Sequence, residues 1–477
     1  MNSHRTARRT NSFSSALVSL SIVFAALMLS GCSDSRTYTV SGTITSGGAP
    51  LSGITVNLAD NNSSFTATAI TDASGKYSFT DIAGGIYTVT PSKTTFGIFT
   101  PPLRRAYLDG LSATEFNFSI TNAGRLSGTN HTIFLRTDGT VWTWGDNSNG
   151  QLGNGSTADS SVPVNVAVLT GVTAVSAGNT HSVALRLESG ATTTTVWTWG
   201  NNASGQLGDG TTDQRTMPVQ VINLDSVVAV SAGSDHTVAL KNDGTVWAWG
   251  KNDTGQLGNG STLASAAPVQ VTGLSNIIAV AAGANFTLAL KNDDTVWAWG
   301  KNDTGQLGNG STSSSATPVQ VSGLVNVVAI GAGDTHGIAI RSDATTLSVW
   351  TWGNNTNGQL GVGTTTQHTT PVQVPDLKDV ASVAAGADHT VALKTDGTVL
   401  AWGSNGNGQL GNGSTTQSDA PVQASGLSGI IAVAGGSQYS MALKNDNTVW
   451  TWGSNGNGRL GNGTTTDSLT PVQALVP

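Results

Sequence analysis

Of the chain's 477 residues a single one, Cys32, is cysteine, which rules out a disulfide framework and any cysteine-rich zinc site. Charge is scarce: only 10% of residues are Asp, Glu, Lys or Arg, and the formal net charge is -7. With no basic stripe to hold phosphates, nucleic acid is not an expected partner. The apolar run at residues 16–29 is too short and wrongly flanked for a stable membrane span. Gly, Ser, Thr and Asn dominate instead, which suits many turns and a neutral, hydrogen-bonding surface.

The N-terminus has the order of an export signal. Arg5, Arg8 and Arg9 supply the positive region, the apolar run follows, and it ends in Leu29-Ser30-Gly31-Cys32. That ending resembles the bacterial lipobox. The resemblance implies cleavage before Cys32 and a thiol carrying diacylglycerol, hence a membrane partner reached through acylated Cys32. Residues 1–31 are then a signal peptide and residues 32–37 a tether. Ser33, not Asp, follows the cysteine. In such lipoproteins this favours the outer membrane or cell surface of the envelope over the inner membrane. Each buried acyl methylene contributes ~0.8 kcal/mol, so several chains anchor firmly.

Residues 38–121 read as a separate all-β unit. Tyr38, Val40, Gly42 and Ile44, then Ile54, Val56 and Leu58, then Tyr77 and Phe79, then Tyr87 and Val89 recur with the period of two expected for half-buried strands. Residues 71–79 read as a hairpin turn with Gly75 at the left-handed position, and residues 116–120 as the last strand. This segment resembles the carboxypeptidase regulatory-like, prealbumin-type β-sandwich, a module that is usually a non-catalytic spacer.

From about residue 122 to 477 one unit recurs seven times. Its marker is Trp-x-Trp-Gly followed by Gly-Gln-Leu-Gly, and the second Trp stands at 144, 199, 249, 299, 352, 402 and 452. A spacing near 50 residues marks a propeller or other repeat architecture. Each unit parses into four strands, in the third copy residues 227–231, 236–241, 245–249 and 268–271. Sheets apolar on both faces must be covered on both, and radial stacking does this while leaving few edges. The expected fold is all-β: a seven-bladed β-propeller preceded by a small prealbumin-like β-sandwich. The runs Ala-Gly-x-x-His-Thr-x-Ala-Leu, Asp-Gly-Thr-Val-Trp-x-Trp-Gly and Gly-Gln-Leu-Gly-x-Gly resemble the repeats of the regulator of chromosome condensation family. That resemblance implies the same propeller. Ring closure is the open point. Residues 122–127 make a poor first strand, and the C-terminal residues 472–476 are expected in or against the blade of the first copy.

Candidate chemistry is thin. His131, His181, His236, His336 and His389 share one repeat position, where a ring of imidazoles can hold a metal. Phe286 and Tyr439 replace them in the fourth and seventh copies, which points to packing and hydrogen bonding instead. The tryptophans hold one repeat position each, as blade-to-blade packing requires. Residues 146–150 have the look of a calcium loop, but the would-be first ligand changes between copies, so a turn is expected. No catalytic triad, paired acids or phosphate loop is legible, and no enzyme activity, metal or cofactor is expected.

One segment varies in length. The hairpin between the histidine position and the tryptophans is longer in the second copy, at residues 187–195, and in the fifth, at residues 342–348. Binding residues favour loops that the scaffold leaves free. Glu188, Ser189, Thr193, Asp343, Thr345 and Leu347 are therefore the candidate binding residues, on two hairpins expected to project from one end of the disc. The functional expectation is an exported, lipid-anchored, non-catalytic scaffold that recognises a protein or glycan. The family's eukaryotic founder suggests guanine-nucleotide exchange on a small GTPase as one alternative. An extracytoplasmic enzyme inhibitor is another, since bacterial inhibitors of β-lactamase resemble this fold. A sugar-acting enzyme is disfavoured by the missing carboxylate pair.

Overall fold

The computed structural model describes residues 37–46, 49–60, 65–92, 98–100, 104–108, 112, 118–121, 125–188, 193–343 and 346–477. Residues 1–36, including Cys32 and the signal-like segment, lie outside them. So do Ser189 and Thr345. Among the described residues every regular element is a strand.

The N-terminal strands form two groups around one core. Thr37–Ser46 lies between Lys76–Ala83, antiparallel, and Phe118–Thr121, parallel. The second sheet runs Thr66–Ile70, Thr55–Asp60, Gly85–Ser92, Arg104–Leu108. Val40, Ile44, Ile54, Val56, Leu58, Tyr77, Phe79 and Val89 are buried between them, as the alternation requires. The turn at residues 72–75 differs from expectation. Gly75 is left-handed, with φ +70°, and its amide donates to the Asp72 carbonyl. The flanking strands, however, do not pair with each other but enter different sheets. The cause is Thr71, which is buried. Its hydroxyl donates to the Leu51 carbonyl and accepts from the Ile54 amide, tying the turn to the neighbouring connection and carrying the chain across the core.

From Leu126 onward the chain builds seven four-stranded antiparallel sheets, each with its strands in sequence order. In the third blade these are Val227–Ala232, His236–Lys241, Val246–Gly250 and Ser265–Gln270. First strands contact one another from blade to blade, and that of blade seven contacts that of blade one, so the ring is closed. Closure uses no exchanged strand. The last strand, Ser468–Gln473, pairs with Val449–Gly453 in its own blade. The segment beyond it does lie against blade one: Ala474 and Val476 join a cluster containing Leu126, Phe134 and Trp144. The weak first copy still supplies a three-residue strand, Leu126–Gly128, because it pairs with His131–Leu135.

The second tryptophan of each copy is fully buried, and each indole N–H donates across a blade boundary. Trp299 Nε1 lies 2.9 Å from the carbonyl oxygen of Gln256 in the preceding blade. The same bond runs from Trp199 to Gln151, Trp249 to Gln206, Trp352 to Gln306, Trp402 to Gln359 and Trp452 to Gln409. Trp144 closes the series on Arg459, 315 residues away. The last glycine of each Gln-Leu-Gly is left-handed and lies beneath the next blade's indole: a Cβ on Gly258 would stand 2.7 Å from Trp299 Nε1. Only the second tryptophan behaves this way. The first of each pair is half-buried and bonds the hydroxyl two residues before it, as Trp247 does with Thr245.

Trp299→Ala should cost ~3–5 kcal/mol, the range for emptying a large aromatic site. Gly258→Ala should destabilise as well, through both φ and overlap with the indole. Urea unfolding of both, beside a surface control such as Asp146→Ala, checks this. A shift no larger than the control's would remove the tryptophan from its structural role.

Candidate functional site

The histidine position is a junction between blades. His236 Nε2 lies 3.1 Å from the Thr287 hydroxyl of the next blade, and that hydroxyl donates to the Gln256 carbonyl. Equivalent pairs are His131 with Ser182 at 2.6 Å, His181 with Thr237 at 3.0 Å, His336 with Thr390 at 3.0 Å and His389 with Ser440 at 2.8 Å. Because each hydroxyl spends its proton on a carbonyl, the imidazole must be the donor, which fixes its proton on Nε2. Nδ1 is left without a partner among the described residues. Burial holds all five histidines neutral, pushing His131, His181 and His336 down to about 3 and His236 and His389 down to about 4. Among the described residues no group of three or more His, Cys, Asp or Glu is placed to hold a metal.

The two exceptions at this position have compensating partners. Phe286 cannot donate, and the next blade carries Gly337 where the others carry Ser or Thr. Phe286 and Trp352 share an apolar cluster, and a Cβ on Gly337 would lie 2.3 Å from Trp352 Cε2. Donor and acceptor are thus absent together, which avoids an unsatisfied buried group. Tyr439, at the seam between blades seven and one, makes the bond with its phenol instead. Its OH meets the Thr132 hydroxyl at 2.7 Å and donates to the His131 carbonyl at 3.0 Å.

The loop with the look of a calcium site is organised by a buried asparagine that sequence reasoning passed over. Asn252 Oδ1 accepts the Leu257 amide, and its Nδ2 donates to the carbonyls of Ser261 and Leu263. The same residue recurs at 147, 202, 302, 355, 405 and 455, fully or almost fully buried. Constant recurrence at one repeat position was the available signal.

The two longer hairpins extend the same ladder. Blade three ends its second pairing at Leu240 opposite Val246, whereas blade two continues to Leu187 opposite Thr194 and blade five to Asp343 opposite Thr346. Both therefore leave the disc from the same end. Glu188 accepts from the Thr195 hydroxyl at 2.8 Å and lies 3.5 Å from Arg186. Thr193 is exposed. Leu347 is half-buried and packs on the blade-five cluster of Ile338, Ile340 and Val349. At the base of each hairpin an arginine lies over the half-buried first tryptophan, Arg186 on Trp197 at 5.3 Å and Arg341 on Trp350 at 5.2 Å. In blades three, four, six and seven that position is lysine, which lies in an ion pair at each, such as Lys291 with Asp293 at 2.7 Å.

A closed ring of seven four-stranded sheets, joined by recurring indole, imidazole and hydroxyl bonds, defines a seven-bladed propeller of the repeat type named from its motifs. Residues 190–476 match the RCC1-like domain, and residues 138–185 and 172–206 match the regulator of chromosome condensation (RCC1) repeat; the chain belongs to the RCC1-like domain family. Residues 39–140 match the carboxypeptidase regulatory-like domain. The human E3 ubiquitin-protein ligase HERC2 is 41% identical over 122 residues, 25% of this chain and 2% of HERC2. The Arabidopsis thaliana ultraviolet-B receptor UVR8 is 32% identical over 122 residues, 24% of this chain and 27% of UVR8. The chain thus spans a small part of the length of these curated relatives. Among solved structures, Prp20p of Saccharomyces cerevisiae, described with its binding to Gsp1p and histones, has a TM-score of 0.62 at 24% identity, covering 72% of this chain and 88% of its own. Human WBSCR16 has a TM-score of 0.63 at 24% identity, covering 71% and 95%. Likeness at that identity shows the fold alone.

Acid should destabilise the ring. The unfolded imidazoles protonate near 6.5 while the folded ones stay neutral to about 3 or 4, so the unfolded state binds more protons throughout that interval. Stability is then full above about pH 7 and falls as pH drops towards 4. Melting temperature followed from pH 7.5 to 4 should show this. His236→Phe, which copies Phe286, should remove about one proton from the dependence; an unchanged slope would contradict the assignment.

Proposed function

We propose that this chain is an exported, lipid-anchored, non-catalytic scaffold that recognises a protein or glycan through the propeller end bearing the two extended hairpins. The supporting observation is how the recurring polar side chains are used. Indoles, imidazoles, hydroxyls and buried asparagines are engaged in cohesion, and the hairpins of blades two and five are where the repeat departs from its own length. Each brings an arginine–tryptophan pair to the same end of the disc. Stacked, partly exposed aromatic and guanidinium surfaces are the groups that anchor protein interfaces and stack on sugar rings. Export and anchoring rest on the lipobox-like Leu29-Ser30-Gly31-Cys32. The β-sandwich would then hold the propeller off the membrane.

Regulation of a small GTPase is the competing reading, favoured by the family and by Prp20p's binding to Gsp1p. The export signal argues against it, since GTPase and nucleotide are cytosolic. Inhibition of an extracytoplasmic enzyme is a particular case of the first reading, with the enzyme as the protein bound.

Two measurements test the proposal. Cys32→Ser should abolish acyl labelling and release the protein from membranes, as should globomycin; unchanged membrane recovery would refute the anchor. A soluble chain starting at Ser33 should capture a partner from envelope extracts that is lost when both hairpins are trimmed to the length of blade three's. Equal recovery by both forms would refute the hairpin end as the binding surface, and accelerated nucleotide release from a small GTPase would favour the rival.

A further inference from the structure

The axis of the propeller holds a cavity of about 160 Å³ lined by residues from all seven blades, nearly all of them Gly, Ala or Ser. One charged residue, Asp334, is among them. The residue two positions before each histidine position lines this level, one per blade, and in four of the seven it is hydrogen-bonded to the next blade. The Ser437 amide donates to the Thr129 carbonyl, and the Thr129 hydroxyl to the Gly178 carbonyl. Asn179 Nδ2 donates to the Ser234 hydroxyl at 3.0 Å, and the Ser234 amide to the Ala284 carbonyl at 3.1 Å. Then the ring of residues changes character. The next positions are Ala284, Asp334 and Ala387, so the Asp334 carboxylate stands between two alanines that offer it no side-chain donor. Among the described residues no hydrogen bond or ion pair reaches it.

The strands on that side are also less satisfied. In blades one to three a serine hydroxyl caps the next blade's axial amide: Ser127 caps Ala177, Ser176 caps Ala232 and Ser231 caps Ala282. The equivalent residues in blades four to six are Ala281, Gly331 and Ala384, which have no hydroxyl, so the amides of Ala332, Ala385 and Gly435 receive no such cap. Blade seven has Ala434 at this position, so serine caps serve three of the seven junctions and none lies on the Asp334 side of the cavity.

We propose that this axial cavity binds a single primary ammonium group, held by the Asp334 carboxylate. One carboxylate balances one positive charge, the walls are too small-chained and neutral to repel it, and the uncapped amides suit an acceptor carried next to the ammonium. Without such an occupant, burial and the neighbouring charge of Asp388 push the Asp334 carboxyl up to about 6, and a bound cation reverses that direction. Asp388 does not compete for the role, since its carboxylate already accepts from Gln359 Nε2 at 3.2 Å. The site lies on the axis, so it is independent of the hairpin surface proposed above.

Calorimetry on the soluble chain at pH 7.5 tests this with four probes: ethylammonium, glycinamide, calcium and acetate. Ethylammonium and glycinamide should bind with one site per chain. Asp334→Asn should weaken both by at least about tenfold. Ala387→Ser, which gives the carboxylate the kind of donor that other blades carry, should weaken both several-fold while leaving the fold unchanged, and it keeps the test decisive if Asp334→Asn does not fold. Asp146→Asn, on the surface, should bind as the wild type does. Absence of ammonium binding to the wild type, wild-type binding by either the Ala387→Ser or the Asp334→Asn variant, or preference for calcium or acetate would each overturn the proposal.

Discussion

One carbonyl oxygen per blade carries the disc. In the Gln-Leu-Gly loop the glutamine carbonyl accepts twice from the following blade, once from the buried tryptophan and, in all but one of the six junctions with a Gln loop, once from the hydroxyl after the histidine position. Gln256, for example, receives Trp299 at 2.9 Å and Thr287 at 3.2 Å. Both lone pairs are used, in a site from which water is excluded, where an unmade bond costs more than a made one contributes. The histidine then adds a third link in the opposite sense, from the earlier blade to the later hydroxyl. Three interlocked bonds explain why the loop's length from tryptophan to glycine never changes: a one-residue slip would withdraw the carbonyl from both donors.

Such nearest-neighbour linkage gives a repeat protein its stability one interface at a time, and an open array would end in an exposed face. Closing the ring removes that face, but the closing contact must join residues more than 300 positions apart. The chain meets the entropy of that closure without an exchanged strand. At the seam Tyr439 bonds both Thr132 and the His131 backbone, Arg125 donates to the Leu135 carbonyl and to Asn447 across the junction, and Ala474 packs under Trp144. The seam is thus furnished with bonds that the internal junctions lack, and Tyr439, read from sequence only as a substituted histidine, is one of its fasteners.

How much of this was legible follows from what a sequence can record. The period gave blade number, strand order and the structural role of the tryptophans, because side-chain identity at a fixed interval is itself the signal. The carbonyl acceptors were not legible, since every residue has one. The pairing of Phe286 with Gly337 was written in the sequence, but reading it needs the knowledge that the two positions face each other across a blade boundary. The strand Leu126–Gly128 shows propensity overridden by a waiting partner strand, and the turn at Gly75 shows that a correct turn does not fix which strands it joins. The candidate hairpins were located by length alone; their arginine–tryptophan stacks were foreseen by nothing in the spacing.

At the histidine position each side chain is bonded or packed against the next blade, and the loss of the donor at Phe286 is answered by a second change at Gly337. Two places escape that constraint: the two hairpins that exceed the common repeat length, and the axis, where residues of all seven blades face one another across open space. The hairpins vary in length there, and the axial positions vary in chemistry, passing from Thr129 and Asn179 through Ala284 to Asp334. Nothing in the cohesion of the ring requires a half-buried carboxylate flanked by alanines, and desolvating one without a partner works against the fold. A carboxylate that no neighbour needs is where the axis can serve a ligand and not the ring.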